Sequence, residues 1–289
     1  MRNNEDRVGV ADPIESGSDS AAATQNFQQS INQLNFVVPT ELVDLPSKGV
    51  FYDEHHPLHN KEDVEIKLMT AKDEDTLSSK SLIKKGIVID RLIQDLLVNK
   101  SIRPEDLLSC DKNAIMVAAR RSGYGQDYTT KVTCPNCSLN QEYTFDLNEC
   151  AHTYFNDPNN LPEGVKRVGV NMFCFSLPVS KFEWVVKLMT GREEQLMTQK
   201  QLTQQKGGKD TYLLDVLRSI TVSISGVSDA KLIEKAIELM PIKDYKLFKE
   251  RLNIINPRLE LKSNFNCLSC DYSTDLEVPF TTDFFWPKR

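Results

Sequence analysis

Four cysteines in two Cys-x-x-Cys pairs, Cys134-Pro135-Asn136-Cys137 and Cys267-Leu268-Ser269-Cys270, are the residues of this chain best suited to chemistry. A pair of this spacing at a hairpin tip points two sulfurs at one spot, where the N–H groups of the turn stabilise thiolate charge. Zinc takes four such ligands tetrahedrally at about 2.3 Å, and two pairs are the ligand set of a structural zinc ribbon. One zinc shared by Cys134, Cys137, Cys267 and Cys270 is therefore expected, provided that the two hairpins face each other. A redox pair would need an exposed thiolate at a helix N-terminus. Here the flanks are strand-like, and neither pair has the apolar, aromatic-led entry of a thioredoxin site. Reduced structural thiols, or two independent or degenerate half-sites, form a third reading. Cys110, Cys150 and Cys174 stand alone and read as small core residues.

No other group of residues assembles a reaction. His55, His56 and His59 crowd one segment with Asp53, Glu54 and Pro57, which reads as a surface turn, and His152 beside Cys150 is a weak ligand pair. Gly123-Tyr124-Gly125 is too short for a phosphate loop and no Gly-Lys-Ser/Thr follows it. Ser81-Leu82-Ile83-Lys84 matches Ser-x-x-Lys by spelling alone. Asp73, Glu74 and Asp75 belong to a first helical turn, where the helix dipole favours negative charge. No nucleophile is matched by a base and an orienting group, so the chain is expected not to be an enzyme.

Bulk properties narrow the class further. Net charge is −6 and the pI is near 5.4, which disfavours a phosphate-neutralising surface. Locally, Asp271, Asp275 and Glu277 outnumber Lys262 around the second pair, and the first has little beyond Lys131, with Arg120 and Arg121 upstream. No nucleic-acid partner is expected. No apolar run approaches the roughly 20 residues of a membrane span, and Met1 to Phe36 lacks a signal-type apolar core. The expectation is a cytosolic chain without a membrane partner.

The elements that must position the cysteines repeat. Lys67-Leu68-Met69-Thr70 recurs as Lys187-Leu188-Met189-Thr190, and internal repeats are sought before other signals. Val64 to Leu68 alternates as a half-buried strand, and Thr70 with Asp73, like Thr190 with Glu193, reads as a capping box opening a helix. After Gly86, Ile89, Leu92, Ile93, Leu96 and Leu97 share a helix face; after Gly207-Gly208, so do Leu213, Leu214, Leu217 and Ile220. A third helical region follows in each copy: Asp111 to Ser122, stopped by Gly123, and Ala230 to Met240 with Ile242 to Leu252. Each copy then closes with a cysteine-tipped hairpin, Tyr128–Val132 with Tyr143–Leu147 and Arg258–Lys262 with Leu276–Phe280. The fold class is α+β and internally duplicated. Its expected parts are a disordered leader at 1–35, a first repeat at 36–160 and a second at 161–289. Gln195 to Lys209 reads as a mobile, solvated elaboration, and Phe284-Phe285-Trp286 either packs back on the domain or anchors a partner.

Several segments taken in order carry a family resemblance: Leu45-Pro46-Ser47-Lys48-Gly49-Val50-Phe51-Tyr52, Lys67 to Asp75, and Gly86 to Ile93. Asp111 to Ile115, Gly123 to Tyr128 and the first Cys-Pro-x-Cys continue the series. It resembles the baseplate hub assembly proteins of contractile-tailed bacteriophages of the T-even type, through about residues 42–147; the second half joins mainly through the duplication. The resemblance implies a late viral protein that helps build the central hub of the tail baseplate, as hub subunit or assembly chaperone. It also implies other baseplate hub proteins as partners, and a place in the host cytoplasm during assembly and in the virion tail if the chain is retained. It carries over no catalytic residues and no metal, so the zinc reading rests on the cysteines alone. Two rivals from other classes remain, a zinc-ribbon adaptor in transcription or replication and a thiol oxidoreductase. Acidic charge disfavours the first and strand-like flanks the second.

Overall fold

The computed structural model describes residues 38–155, 157–204, 212–278 and 284–285. The leader at 1–35, residues 205–209 of the Gln-rich stretch and Trp286 to Arg289 lie outside them. Contacts divide the chain into a unit of residues 1–39 and a unit Thr40–Arg289, and the second holds every element named below.

An antiparallel ribbon opens this unit, β1 (Thr40–Asp44) against β2 (Asp63–Lys67), in a register that places Val43 opposite Val64. Thr70 then starts α1 (Ala71–Leu77). The expected box is present in modified form: Asp73 Oδ2 accepts both the Thr70 N–H (2.8 Å) and its hydroxyl (2.7 Å). Next come α2 (Lys80–Lys85) and α3 (Val88–Leu96), whose Leu92, Ile93 and Leu96 are buried. Leu97, just beyond, bridges to Ile66 on β2.

The following helix, α4, spans Ser109–Tyr124 and runs through Gly123 to end at Gly125, whose φ of 86° closes it. Gly123 serves a steric purpose instead, since a Cβ there would meet Met69 Sδ at 2.7 Å. The first cysteine hairpin follows, β3 (Asp127–Thr133) with β4 (Asn140–Asp146), then α5 (Leu147–Cys150) and β5 (Ala151–Tyr154).

A four-stranded antiparallel sheet opens the second half, in the order β6 (Val165–Arg167), β7 (Met172–Ser176), β8 (Glu183–Lys187), β9 (Thr221–Ile224). Between β8 and β9 run α6 (Gly191–Gln204) and α7 (Tyr212–Ile220). Gln195 to Gln204 is thus helical, contrary to the mobile elaboration expected there; its Gln, Leu, Met and Lys are strong helix formers behind a capped start. Glu193 Oε2 supplies that cap, accepting the Thr190 N–H (2.9 Å) and the Thr190 hydroxyl. Then come α8 (Ala230–Glu238), α9 (Ile242–Ile255) and the second hairpin, β10 (Arg258–Asn266) with β11 (Ser273–Glu277). β10 also pairs β5, giving the order β11-β10-β5.

Mixed helices and small antiparallel sheets make this an α+β fold. Its apolar core is continuous from Ile66, Leu92 and Ile115 through Phe145 and Phe173 to Trp184, Phe248 and Phe265. The halves interlock where Ser109 N donates to Met189 O (2.9 Å) and Gly191 N to Leu107 O (2.8 Å).

One further arrangement recurs. After β1, the loop Leu45-Pro46-Ser47-Lys48 is held by Asp111 at the start of α4, which accepts from the Ser47 N–H (2.9 Å), the Ser47 hydroxyl (2.5 Å) and Tyr52 Oη (2.7 Å). After β7, the loop Leu177-Pro178-Val179-Ser180-Lys181 is held by Asp244 at the start of α9, through the Val179 and Ser180 N–H groups, both at 2.8 Å. Lys48 and Lys181 both take positive φ, 50° and 61°.

Candidate metal centre

Both hairpins put their cysteines in the same local geometry. In the first, Thr133 pairs Asn140, so Cys134 to Leu139 is the tip; Cys134 N donates to Leu139 O (2.8 Å), and Ser138 takes φ 58°. In the second, Asn266 pairs Ser273, Cys267 N donates to Tyr272 O (2.9 Å), and Asp271 takes φ 53°. The left-handed residue after each second cysteine folds the tip back, so that each pair of sulfurs faces one point.

The structure brings those two points together. All four sulfurs lie within 4.8 Å of one another. The contacts run crosswise, Cys134 Sγ to Cys270 Sγ at 3.8 Å and Cys137 Sγ to Cys267 Sγ at 3.6 Å. Four sulfurs about 2.3 Å from a central zinc stand roughly 3.8 Å apart, so these spacings fit a tetrathiolate. They are far from the roughly 2.05 Å of a disulfide, and the four cysteines are free. Cys134 and Cys267 are buried, at 1% and 4% exposure, whereas Cys137 faces solvent. This cluster can hold a metal ion.

Its electrostatics favour negative charge at one sulfur and oppose it at another. Donation from Asn136 Nδ2, at 3.6 Å, leads the causes that bring the Cys270 thiol down to about 6. Cys137 goes the other way: a backbone contact at Leu139 favours its thiolate, but partial loss of water on its inner side and contact with the three neighbouring sulfurs outweigh it and push the thiol up to about 12. Four thiols this close cannot all ionise without a cation among them.

The hairpins carrying the tips are packed on each other. Tyr143 Oη donates to Asn264 O (2.8 Å), and the Tyr143 ring stands 5.3 Å from that of Phe265. Gln141 Nε2 donates to Asn266 O (3.4 Å), while its Oε1 accepts from Leu268 N (3.1 Å). Asn136 and Gln141 were not singled out from sequence. The available signal for Gln141 was its place in β4, where strand alternation turns it to the buried face with Phe145.

The remaining candidates do not converge. His55 is exposed beside Glu54, His56 stacks on Tyr52 at 4.3 Å, and His59 Nδ1 pairs with Tyr52 O at 2.8 Å. Asp73 is spent on Thr70, and Glu74 meets Tyr124 Oη. Ser81 Oγ contacts Ser79 Oγ at 3.2 Å. Cys110 and Cys174 are buried core residues; the side chains of Cys150 and His152 lie outside the described ones. Arg120 is buried against Gly125 O and Asp127 O. Phe284 and Phe285 are buried, with Phe284 edge-on to Tyr128 at 5.1 Å, so these two rings pack back on the domain. A cleft of about 570 Å³ between α3, α4 and α6 is lined by Met116, Met189 and Met197. Its buried Lys112 is engaged with the half-buried Asp90 and Glu194.

Among known proteins, the profile of the family described as T4 bacteriophage base plate protein matches residues 43–286. No curated protein and no solved structure matches the chain significantly.

Proposed function

The chain belongs to the T4 bacteriophage base plate protein family, and from that premise we propose that it is a non-enzymatic protein needed to assemble the central hub of the phage tail baseplate. It acts as a hub subunit or as an assembly chaperone, and its partners are other hub proteins. The family match over residues 43–286 carries the reading. The hub role follows from the resemblance of the segments from Leu45 through the first Cys-Pro-x-Cys. Acidic net charge and the mutual engagement of the buried charged groups favour work by protein contact over turnover.

A structural zinc bound by Cys134, Cys137, Cys267 and Cys270 belongs to the same proposal. The crosswise sulfur spacings support it. So does the shared scheme of the two halves, which we read as an internal duplication: a capped helix after a strand, a Leu-Pro loop held by a helix-start aspartate, and a closing cysteine hairpin. A local twofold between duplicated hairpins brings like sulfurs to one point. Neither pair opens a helix, which weighs against a thiol oxidoreductase.

Deleting the chain should stop hub assembly while heads and tail tubes still form, and tagged protein should co-purify with hub proteins. Normal hubs in the deletion would refute the assembly role. Metal analysis of the purified chain should return one zinc, lost in Cys134→Ser and Cys267→Ser. A metal-free wild type would refute the zinc.

A further inference from the structure

The two knuckles mirror each other, but the groups that hold them do not. Asn136, inside the first knuckle, reaches across to Cys270 Sγ at 3.6 Å. Its counterpart Ser269 directs its backbone N–H to its own hairpin's Cys267 Sγ, at 3.4 Å. Gln141, four residues beyond the first knuckle, is 8% exposed and spends both ends of its amide on the second hairpin. Its counterpart Thr274 turns its hydroxyl to Asp275 O of its own strand, at 3.5 Å. Tyr143 Oη likewise reaches Asn264 O. Among the described residues, the side chains that hydrogen-bond between the hairpins, cysteines apart, all come from the first.

Gln141 is placed to act on a ligand. Its two bonds grip Asn266 and Leu268, the residues on either side of Cys267. Fixing both neighbours fixes the backbone of Cys267, and with it the direction of its sulfur. A buried amide satisfied at both ends has one low-energy orientation, because turning it would strand a donor against a donor. Asn136 completes the grip at Cys270, giving a thiolate there an N–H donor from outside the metal shell. Such outer-shell groups orient ligands and typically matter by about 10–100-fold in metal affinity.

We infer that the first hairpin is a preformed cradle for the second, and that Gln141 and Asn136 are the positioning residues that bring Cys267 and Cys270 onto Cys134 and Cys137 before a metal arrives. The inference rests on the zinc reading above. The metal then locks hairpins that are already docked, and its affinity gains from ordering done in advance.

The test is zinc affinity of the full chain, by competition with a chromophoric chelator, together with the thiolate-to-metal absorption of the cobalt(II)-loaded protein. Asn136→Ala and Gln141→Leu should each weaken zinc binding by about 10–100-fold, while Thr274→Val leaves it unchanged. Amide exchange in the metal-free wild type should still show protection at Leu268, lost in Gln141→Leu. Asn136 is exposed, so Asn136→Ala decides the matter should Gln141→Leu fail to fold. A wild type that binds no zinc sinks the zinc reading itself. Tight wild-type binding with Asn136→Ala and Gln141→Leu unaffected overturns the cradle alone, as does a Thr274→Val loss equal to theirs.

Discussion

Asp111 and Asp244 each anchor a loop that lies far from them in sequence. Asp244 is buried and accepts two backbone N–H groups. Burial raises its carboxyl, but those donors outweigh burial and hold it below the usual carboxylate range. In Asp244→Ala, the Val179 and Ser180 N–H groups lose their acceptor, and the expected loss is about 2–3 kcal/mol in urea denaturation. The pH dependence has a definite sign. A carboxyl depressed in the folded state adds stability that is present above its unfolded value, about 3.9, and lost as pH falls through the lower folded value. Asp244→Ala should therefore flatten the acid limb of stability against pH, and an unchanged limb would contradict the assignment. Gly191 makes a different demand, since a Cβ there would meet Pro104 O at 2.3 Å. Because that obstacle is backbone where the halves interlock, Gly191→Ala should cost about 1–3 kcal/mol by the same measurement; full retention of stability would show that the junction yields. The Thr70 and Thr190 boxes were legible because donor and acceptor lie three residues apart. The clamps at Asp111 and Asp244 were not, since their partners are 64 and 65 residues away, and a lone aspartate in a first helical turn is already explained by the dipole.

At the scale of elements, the hairpins were legible where strand alternation was strict. β3 shows it, buried at Tyr128, Thr130 and Val132 and exposed between them. The convergence of the two tips was written only in cysteine spacing, yet it was enough to single out the four cysteines that cluster. What escaped was pairing decided at long range. Ala151 to Tyr154 carries no mark that it will join Arg258 to Leu261, and the sheet built on β7 was hidden because Met172 to Phe175, apolar on both faces, shows no alternation. The helix opened by the Thr190 box was legible at its start but not in its run past Gln195, where polar composition suggests solvation although the same residues favour helix. Removal of the proposed zinc acts at this scale. Chelation should raise amide exchange at the tips, at Cys134 and Cys267 above all, lower the melting temperature and leave the pairing of β10 with β5 intact. Exchange spreading at once through the β6–β9 sheet would show that the metal supports the whole fold rather than the tips.

For the whole molecule, the question is what the proposed zinc would do in a protein proposed to work by contact. Four cysteine ligands leave a tetrahedral ion no open position for water or substrate, so the proposed zinc supplies connection and no reactive ligand. It ties residues far apart in sequence, and the free energy of binding it is folding free energy. A structural role of this kind depends on coordination geometry and very little on the ion's Lewis acidity. Chain reconstituted with cadmium or cobalt(II) should therefore restore hub assembly to an extract lacking the chain about as well as zinc-loaded chain does. Metal-free chain should assemble less well, and most poorly near its lowered melting temperature. If cadmium-loaded protein melts like the zinc form yet fails to support assembly, the metal has a chemical role that this reading denies. If metal-free chain assembles hubs as well as the loaded chain at every temperature, the cluster contributes nothing to the work of the protein at the baseplate.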